Sequence, residues 1–202
     1  GVTEASTHFC GWTVKPKKQE MSMGPQYPRG SLEYNLFYHG RRAGAENWLD
    51  FDEACTQTAI DWLAQDPKGP WCLWMPLIFP HLPFEAESKW YNRFDPKQFP
   101  APQPPRAGKP QFHQALRAAY GRDVPLALWQ EITRVYYAMV SRVDEQLGRV
   151  LQALERSGQL ENTLILFLTD HGEYLGDFGL VEKWPSGLDH CLLQNPVIFA
   201  GP

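Results

Sequence analysis

Residues 164–183, LILFLTDHGEYLGDFGLVEK, combine a strand signal with reactive side chains. The unbroken apolar run predicts a strand over residues 163–169, which passes directly into Asp170 and His171. Ligands of parallel sheets bind beyond the carboxyl ends of the strands. The pair is therefore either part of a divalent metal site, with His171 alternatively acting as a base, or a strand-ending turn in which Gly172 takes a positive φ.

The segment before this strand predicts a long helix. Apolar residues recur at three- and four-residue steps over 128–157, while Arg142 and other charged residues take the opposite face. Gly158 follows as a natural C-terminal stop. A second helix is predicted to begin near residue 52, with Asp50 or Asp52 as its N-cap.

Two further apolar runs, WCLWMPLIF (71–79) and PVIFA (196–200), predict strands, the first of them buried on both faces. Strand, helix, strand and strand in this order are typical of an α/β fold with a largely parallel sheet flanked by helices. We predict one α/β domain over residues 51–202, with a long surface connection at 80–110. Residues 1–50 are predicted to be loop-rich, with one hairpin.

Charge and composition limit the partners. The formal net charge is −4 and the pI is about 5.9, so we expect neither nucleic acid nor a membrane as a partner. The chain has four cysteines, Cys10, Cys55, Cys72 and Cys191, without a C-x-x-C pair, which argues against a zinc ribbon or a disulfide scaffold. Cys72 is expected to be a buried, reduced thiol, and a cytoplasmic location is slightly favoured.

Two more residues are candidates for chemistry. His81, between Pro80 and Leu82-Pro83 at the end of the predicted strand 71–79, is placed to donate a proton to a leaving group. Lys183 follows a loop with spaced glycines and could bind an anionic oxygen as a point charge. Without further context, a structural histidine and a solvated surface lysine are the better interpretations of the two residues.

Several segments together resemble the sulfatase family of the alkaline-phosphatase-like superfamily. They are YYAMVSRVDEQLGRVLQALERSGQLENTLILFLTDHGEYLGDFGLVEK (136–183), PWCLWMPLIFPHLPF (70–84) and PVIFAGP (196–202). They cover about residues 52–202 in the order in which the family carries them. The resemblance is therefore more specific than any single motif.

The resemblance implies roles for individual residues. Asp170 and His171 match the pair that completes a divalent metal site, usually calcium and sometimes manganese. Lys183 matches the lysine that contacts sulfate or phosphate oxygens, and His81 matches the histidine near the leaving-group oxygen. The implied function is a sulfatase that acts on a small-molecule sulfate ester. A phosphonate or phosphate ester hydrolase, or a non-catalytic sulfatase-like protein, is the alternative.

The chain also departs from the family pattern. No cysteine or serine lies in the C/S-x-P-x-R segment that carries the family's formylglycine nucleophile, so we expect the chain to be an internal fragment whose nucleophile lies outside it. Phe178 stands where many relatives have histidine. The segment after Lys183 also differs, and in it Asp189 and His190 are candidates for lining the substrate pocket.

Overall fold

The structure is a computed structural model that describes residues 27–42, 50–184 and 187–202, together with the backbone of residues 6–9. Its helices and strands, in chain order, are β1 (Ser6–Phe9), α1 (Leu32–Asn35), β2 (Tyr38–Arg42), α2 (Phe51–Leu63), β3 (Trp71–Trp74), β4 (Phe84–Glu87), α3 (Ser88–Tyr91), α4 (Gln111–Leu116), α5 (Leu126–Arg156), β5 (Ile165–Leu168), α6 (His190–Leu193) and β6 (Val197–Ala200).

The strands form three pairs. β1 pairs with β3 and β2 with β4, both in parallel, whereas β5 and β6 are antiparallel. Helix α5 packs against β2, β4 and α2. The predicted α/β class with a largely parallel sheet is thereby confirmed. Within the described part of the chain, no helix has the length and apolar composition needed to cross a bilayer.

Helix α5 builds most of the core. Its first half buries Ile132, Val135 and Met139 in one cluster with β2 and β4, and its second half buries Val150 and Leu154 against α2. Because Gly158 has φ +72°, it ends the helix in the left-handed conformation that glycine accepts without strain. The helix predicted over 128–157 is confirmed.

The prediction placed Arg142 on the solvent face of this helix, and the structure corrects it: Arg142 lies in the core. Its guanidinium is 4% exposed and donates two hydrogen bonds to Asp50, Nη1 to Oδ2 at 2.5 Å and Nη2 to Oδ1 at 2.8 Å. Nε lies 3.4 Å from Glu87 Oε1. An arginine is buried to this extent only when it is paired. Because its partners lie outside α5, the periodicity of the helix could not reveal it.

Asp50 also begins α2, where its carboxylate accepts a hydrogen bond from the backbone N–H of Glu53. The predicted helix start is confirmed with Asp50 as the N-cap. Asp50 therefore has two roles: it caps α2 and it is the counter-ion of Arg142.

The predicted surface connection at 80–110 is wrong at its beginning. Strand β4 lies there, and its Phe84 and Ala86 are almost fully buried. The sequence FEAE does not look like a buried strand because two of its four residues are acidic. Arg42 compensates one of these charges, since its Nη2 lies 2.5 Å from Glu85 Oε1. The predicted hairpin within residues 1–50 is also not found in the described residues, where β1 and β2 pair with strands distant in sequence.

Strand β3 is shorter and more exposed than predicted. It ends at Trp74, and only Trp71 and Leu73 face the cluster formed with α2 and α5. Cys72 is exposed and not buried as expected, because in the described residues only one face of β3 is covered. Cys191 is likewise a free thiol, and Cys10 lies outside the described residues.

Candidate active site

The segment that carries His81 is fixed to the first turn of α2. Asp52 is 1% exposed, and its two carboxylate oxygens accept hydrogen bonds from the backbone N–H groups of Ile78 and Phe79, each at 2.8 Å. Burial raises the pKa of Asp52 to about 6, although these two hydrogen bonds oppose the shift. The chain then turns, with His81 N donating to Ile78 O at 2.9 Å.

His81 meets Lys183 at the other side of the site. His81 Nδ1 lies 2.9 Å from the backbone oxygen of Leu82, which can only accept, so Nδ1 carries the proton. His81 Nε2 then offers its lone pair to Lys183 Nζ, also at 2.9 Å. This tautomer is assigned from the hydrogen-bond network. The structure thus brings together two residues that the sequence singled out separately.

Glu182 is a member of this site that the sequence analysis missed. Its Oε1 accepts a hydrogen bond from Lys183 Nζ at 2.9 Å and lies 3.7 Å from His81 Nε2. Burial disfavours its charge, but hydrogen bonds from the Trp184 N–H and the Lys183 ammonium lower the pKa of Glu182 below its usual value. The sequence contains one signal for Glu182, its position next to Lys183. That signal is weak, because the side chains of adjacent residues usually point in different directions.

A second, partly buried carboxylate shapes the loop that leads to Lys183. Glu173 accepts hydrogen bonds from the backbone N–H groups of Leu175 at 3.4 Å and Glu182 at 2.5 Å. Burial raises the pKa of Glu173 to about 7. Because these contacts join the two ends of the loop, Glu173 sets the position from which Lys183 extends.

His171, with its neighbour Asp170, lies beside the pair formed by His81 and Lys183. His171 Nδ1 donates to the Gly172 oxygen at 2.8 Å, so Nε2 keeps its lone pair, 3.8 Å from Asp170 Oδ1. The His171 ring centroid is 6.2 Å from that of His81. Gly172 does not take the positive φ expected of a turn. It is required because a Cβ would lie 1.8 Å from the backbone oxygen of Cys191.

The pair fits part of a cation site. The Asp170 side chain is 88% exposed and His171 is 29% exposed, so both can reach a ligand, and the oxygen donor Oδ1 lies 3.8 Å from the nitrogen donor Nε2. Within the described residues, no group of three or more His, Cys, Asp or Glu side chains forms a complete metal site.

The two candidates for the substrate pocket have different surroundings. Asp189 accepts hydrogen bonds from Lys109 and from Tyr174 Oη at 2.8 Å, and it lies 4.0 Å from His113 Nε2. Burial opposes ionisation, but the bonds from Lys109 and Tyr174 lower the pKa of Asp189. These contacts indicate that Asp189 braces the loop. His190 is exposed at the start of α6.

Phe178, the departure from the family pattern, packs with Tyr174, Leu180 and Leu192 in a small cluster of its own. Its backbone N–H donates to Gln103 O at 2.7 Å. The side chain therefore belongs to the packing of the loop.

Comparison with known proteins places these residues in one family. The sequence model of the sulfatase family matches residues 5–195. Choline-sulfatase of Rhizobium meliloti (strain 1021) is 27% identical in an alignment of 198 positions that covers 88% of this chain and 38% of that enzyme. Iduronate 2-sulfatase of Homo sapiens is 30% identical in a gapped alignment of 216 positions that covers 95% of this chain and 38% of that enzyme.

The crystal structure of the phosphonate monoester hydrolase of Agrobacterium radiobacter superposes with a TM-score of 0.64 and 27% identity, over 74% of this chain and 32% of that chain. The chain thus spans about two fifths of the length of the curated relatives named above. Because the family match extends over almost the whole sequence, the chain belongs to the sulfatase family of the alkaline-phosphatase-like superfamily.

Proposed function

We propose that the protein that carries this chain hydrolyses a small organic sulfate monoester. The observation that supports this most strongly is the contact of 2.9 Å between Lys183 Nζ and His81 Nε2, beside the ring of His171. An ammonium that can bind an ester oxygen and an imidazole that can move a proton therefore act at one place.

Lys183 has one N–H left for the substrate. An ammonium carries three N–H donors, and in the structure His81 Nε2 and Glu182 Oε1 accept two of them. Cleavage of a sulfate ester builds negative charge on the bridging and non-bridging oxygens. A lysine that is already oriented stabilises this charge without first reorganising.

His81 would handle the proton of the leaving group. Its Nδ1 proton is occupied by the Leu82 carbonyl, so Nε2 is the atom that exchanges protons. Nε2 can take up a proton from water and donate it to the departing oxygen, while Lys183 keeps its positive charge. The proposed role is that of general acid.

Asp170 and His171 would supply two ligands of a divalent cation, with calcium as the first expectation and manganese as the alternative. The imidazole donor suits manganese better than calcium, which prefers oxygen ligands. A bound cation supplies Lewis-acid compensation of the ester's negative charge. The nucleophile would be a formylglycine that lies outside residues 1–202.

A phosphonate ester hydrolase is the second candidate. The superposition on the phosphonate monoester hydrolase favours it, because a structure at 27% identity shares more than the bare fold. A sulfate monoester and a phosphonate monoester carry the same single charge. The described residues therefore suit both substrates, and a non-catalytic protein would have no use for this constellation.

The test is hydrolysis of p-nitrophenyl sulfate and p-nitrophenyl phenylphosphonate by the full-length protein that carries this chain. We expect the sulfate to be the better substrate and expect Lys183→Ala and His81→Ala each to lower kcat/KM by about a hundredfold or more. Lys97→Ala, an exposed lysine elsewhere, is the control. Full activity of both site variants would refute the proposal, and a preference for the phosphonate would establish the second candidate.

A further inference from the structure

The carboxylate of Glu182 offsets the positive charge of Lys183 within the site. Glu182 Oε1 lies 2.9 Å from Lys183 Nζ, within reach of the same place where an ester oxygen would bind. The Glu182 side chain is only 15% exposed, so water screens its charge weakly. An anion that approaches Lys183 therefore meets a carboxylate as well.

Glu182 is also held in place. Its Oε2 accepts a hydrogen bond from Trp184 N at 2.7 Å, and its own backbone N–H donates to Glu173 Oε1 at 2.5 Å. The residue has φ +68°, a left-handed conformation that is costly for a side chain other than glycine. With backbone and carboxylate both fixed, Glu182 cannot turn away to make room for a more highly charged ligand.

His81 does not replace the charge that Glu182 offsets. The tautomer set by Leu82 leaves the imidazole neutral while it accepts from Lys183. The group formed by His81, Glu182 and Lys183 therefore has one positive and one negative charge. The Glu182 carboxylate repels an ester with two negative charges more strongly than an ester with one, whatever other charges the site holds.

We infer that Glu182 selects the charge of the substrate, so that the site accepts singly charged tetrahedral esters and rejects doubly charged phosphate monoesters. This inference rests on the proposed function and narrows its substrate class. A sulfate monoester and a phosphonate monoester each carry one negative charge, whereas a phosphate monoester carries two above its second pKa, which is about 6.

The decisive experiment compares two unreactive ligands of nearly the same shape, benzenesulfonate with one charge and phenylphosphonate with two. Their dissociation constants are measured at pH 8 by calorimetry, with the full-length protein and its Glu182→Gln variant. We expect the substitution to shift the ratio of the two constants by about tenfold in favour of phenylphosphonate, since close charges at a partly exposed site interact at this order. Structural damage would weaken both ligands together.

Two further variants complete the test. Glu182→Gly removes the same carboxylate and suits the left-handed backbone, so it should reproduce the shift even if the glutamine variant folds poorly. Glu145→Gln removes a carboxylate that contacts Lys89 on the surface, and it should leave the ratio unchanged. An unchanged ratio in both Glu182 variants would overturn the inference, as would the failure of benzenesulfonate to bind the unmodified protein.

Hydrolysis assays separate this inference from the proposed function. If the unmodified protein cleaves no ester but the ratio of dissociation constants shifts, the proposed function fails and the charge selection stands. If it cleaves p-nitrophenyl sulfate and the ratio does not shift, the proposed function stands and Glu182 has no selective role. When both hold, Glu182→Gln should improve cleavage of p-nitrophenyl phosphate about tenfold relative to p-nitrophenyl phenylphosphonate, which isolates charge from the identity of the central atom.

Discussion

Two segments of the chain reach the site, and each is held by one carboxylate. The histidine arm, residues 71–81, is fixed by Asp52, which accepts the N–H groups of Ile78 and Phe79. The lysine arm, residues 170–184, is fixed by Glu173, which accepts those of Leu175 and Glu182. The same device, a carboxylate that accepts two backbone N–H groups, therefore positions both arms.

The two carboxylates differ in the part of the structure that holds each of them in position. Asp52 belongs to α2, which packs on α5 and is tied to it by the pair Asp50–Arg142. Glu173 belongs to the loop that it closes, and this arm contains several non-glycine residues with positive φ: Leu175, Phe178, Glu182 and Trp184. The histidine arm thus depends on the core, whereas the lysine arm depends on its own local contacts. We expect the two arms to respond differently to substitution.

The largest effect is expected from removing the charge that joins α5 to the histidine arm. Arg142→Met leaves Asp50 buried without its counter-ion, and breaking such a buried pair costs about 3–5 kcal/mol of unfolding free energy. Denaturant unfolding measures it. Arg149→Met is the matched control, because its pair with Glu53 is partly exposed and is worth about 1 kcal/mol or less. Equal losses in the two variants would contradict the distinction.

Asp52 should make stability depend on pH. Burial raises its pKa from 3.8 to about 6 in the folded protein, so between about pH 4 and 6 the folded state holds more protons than the unfolded state. Its contribution to stability therefore falls as pH rises through this window, by about 3 kcal/mol in all. Asp52→Asn cannot ionise and should lack this loss.

The measurement for Asp52 is the difference in unfolding free energy between the variant and the unmodified protein from pH 4 to 7. The difference should rise in favour of Asp52→Asn up to about pH 6 and then become constant. A constant offset is expected as well, since an amide nitrogen cannot accept the N–H of Ile78 or Phe79. A difference that does not change with pH would show that Asp52 ionises normally.

Glu173→Met should loosen the lysine arm alone. The methionine side chain is of similar length but lacks Oε1, which accepts both N–H groups, so the arm should lose about 1–2 kcal/mol of local stability. Hydrogen exchange is the readout, with faster exchange at the amides of Leu175 and Glu182 and unchanged exchange in α5. If α5 exchanged faster to the same extent, the lysine arm would be part of the same cooperative unit as the core.

The difference between the arms also explains what the sequence could reveal. Apolar periodicity predicts α5, and apolar runs locate β3 and β5, because burial of one helix face or strand leaves a regular pattern. Strand β4 was not predicted, because its acidic residues are compensated by Arg42 and Arg142, which come from distant parts of the chain. Such compensation leaves no local pattern.

The candidate site shows the same division. Residue type and position pointed to Asp170, His171, Lys183 and His81. In the structure Lys183 contacts His81, the ring of His171 lies beside that of His81, and Asp170 lies beside His171. The partners that orient them, Glu182, Glu173 and Asp52, could not be named, because each acts through contacts between a side chain and a backbone group brought close only by folding. Asp189 was named for the pocket, yet its hydrogen bonds are those of a brace.

The smallest effect tests whether the arms are energetically separate. Gly148 lies within α5, and a Cβ there would meet nothing within 4 Å, so Gly148→Ala should stabilise the protein by about 0.5–1 kcal/mol. The gain should slow hydrogen exchange in α2 and α5, and it should leave the amides of Leu175 and Glu182 unaffected. Gly158→Ala is the same substitution at a residue with φ +72°. Because alanine is strained there, it should lower the free energy of unfolding by about 1 kcal/mol. If exchange in the lysine arm followed α5 in both variants, the loop would open only when the core unfolds. Its position would then be set by the core and not by Glu173.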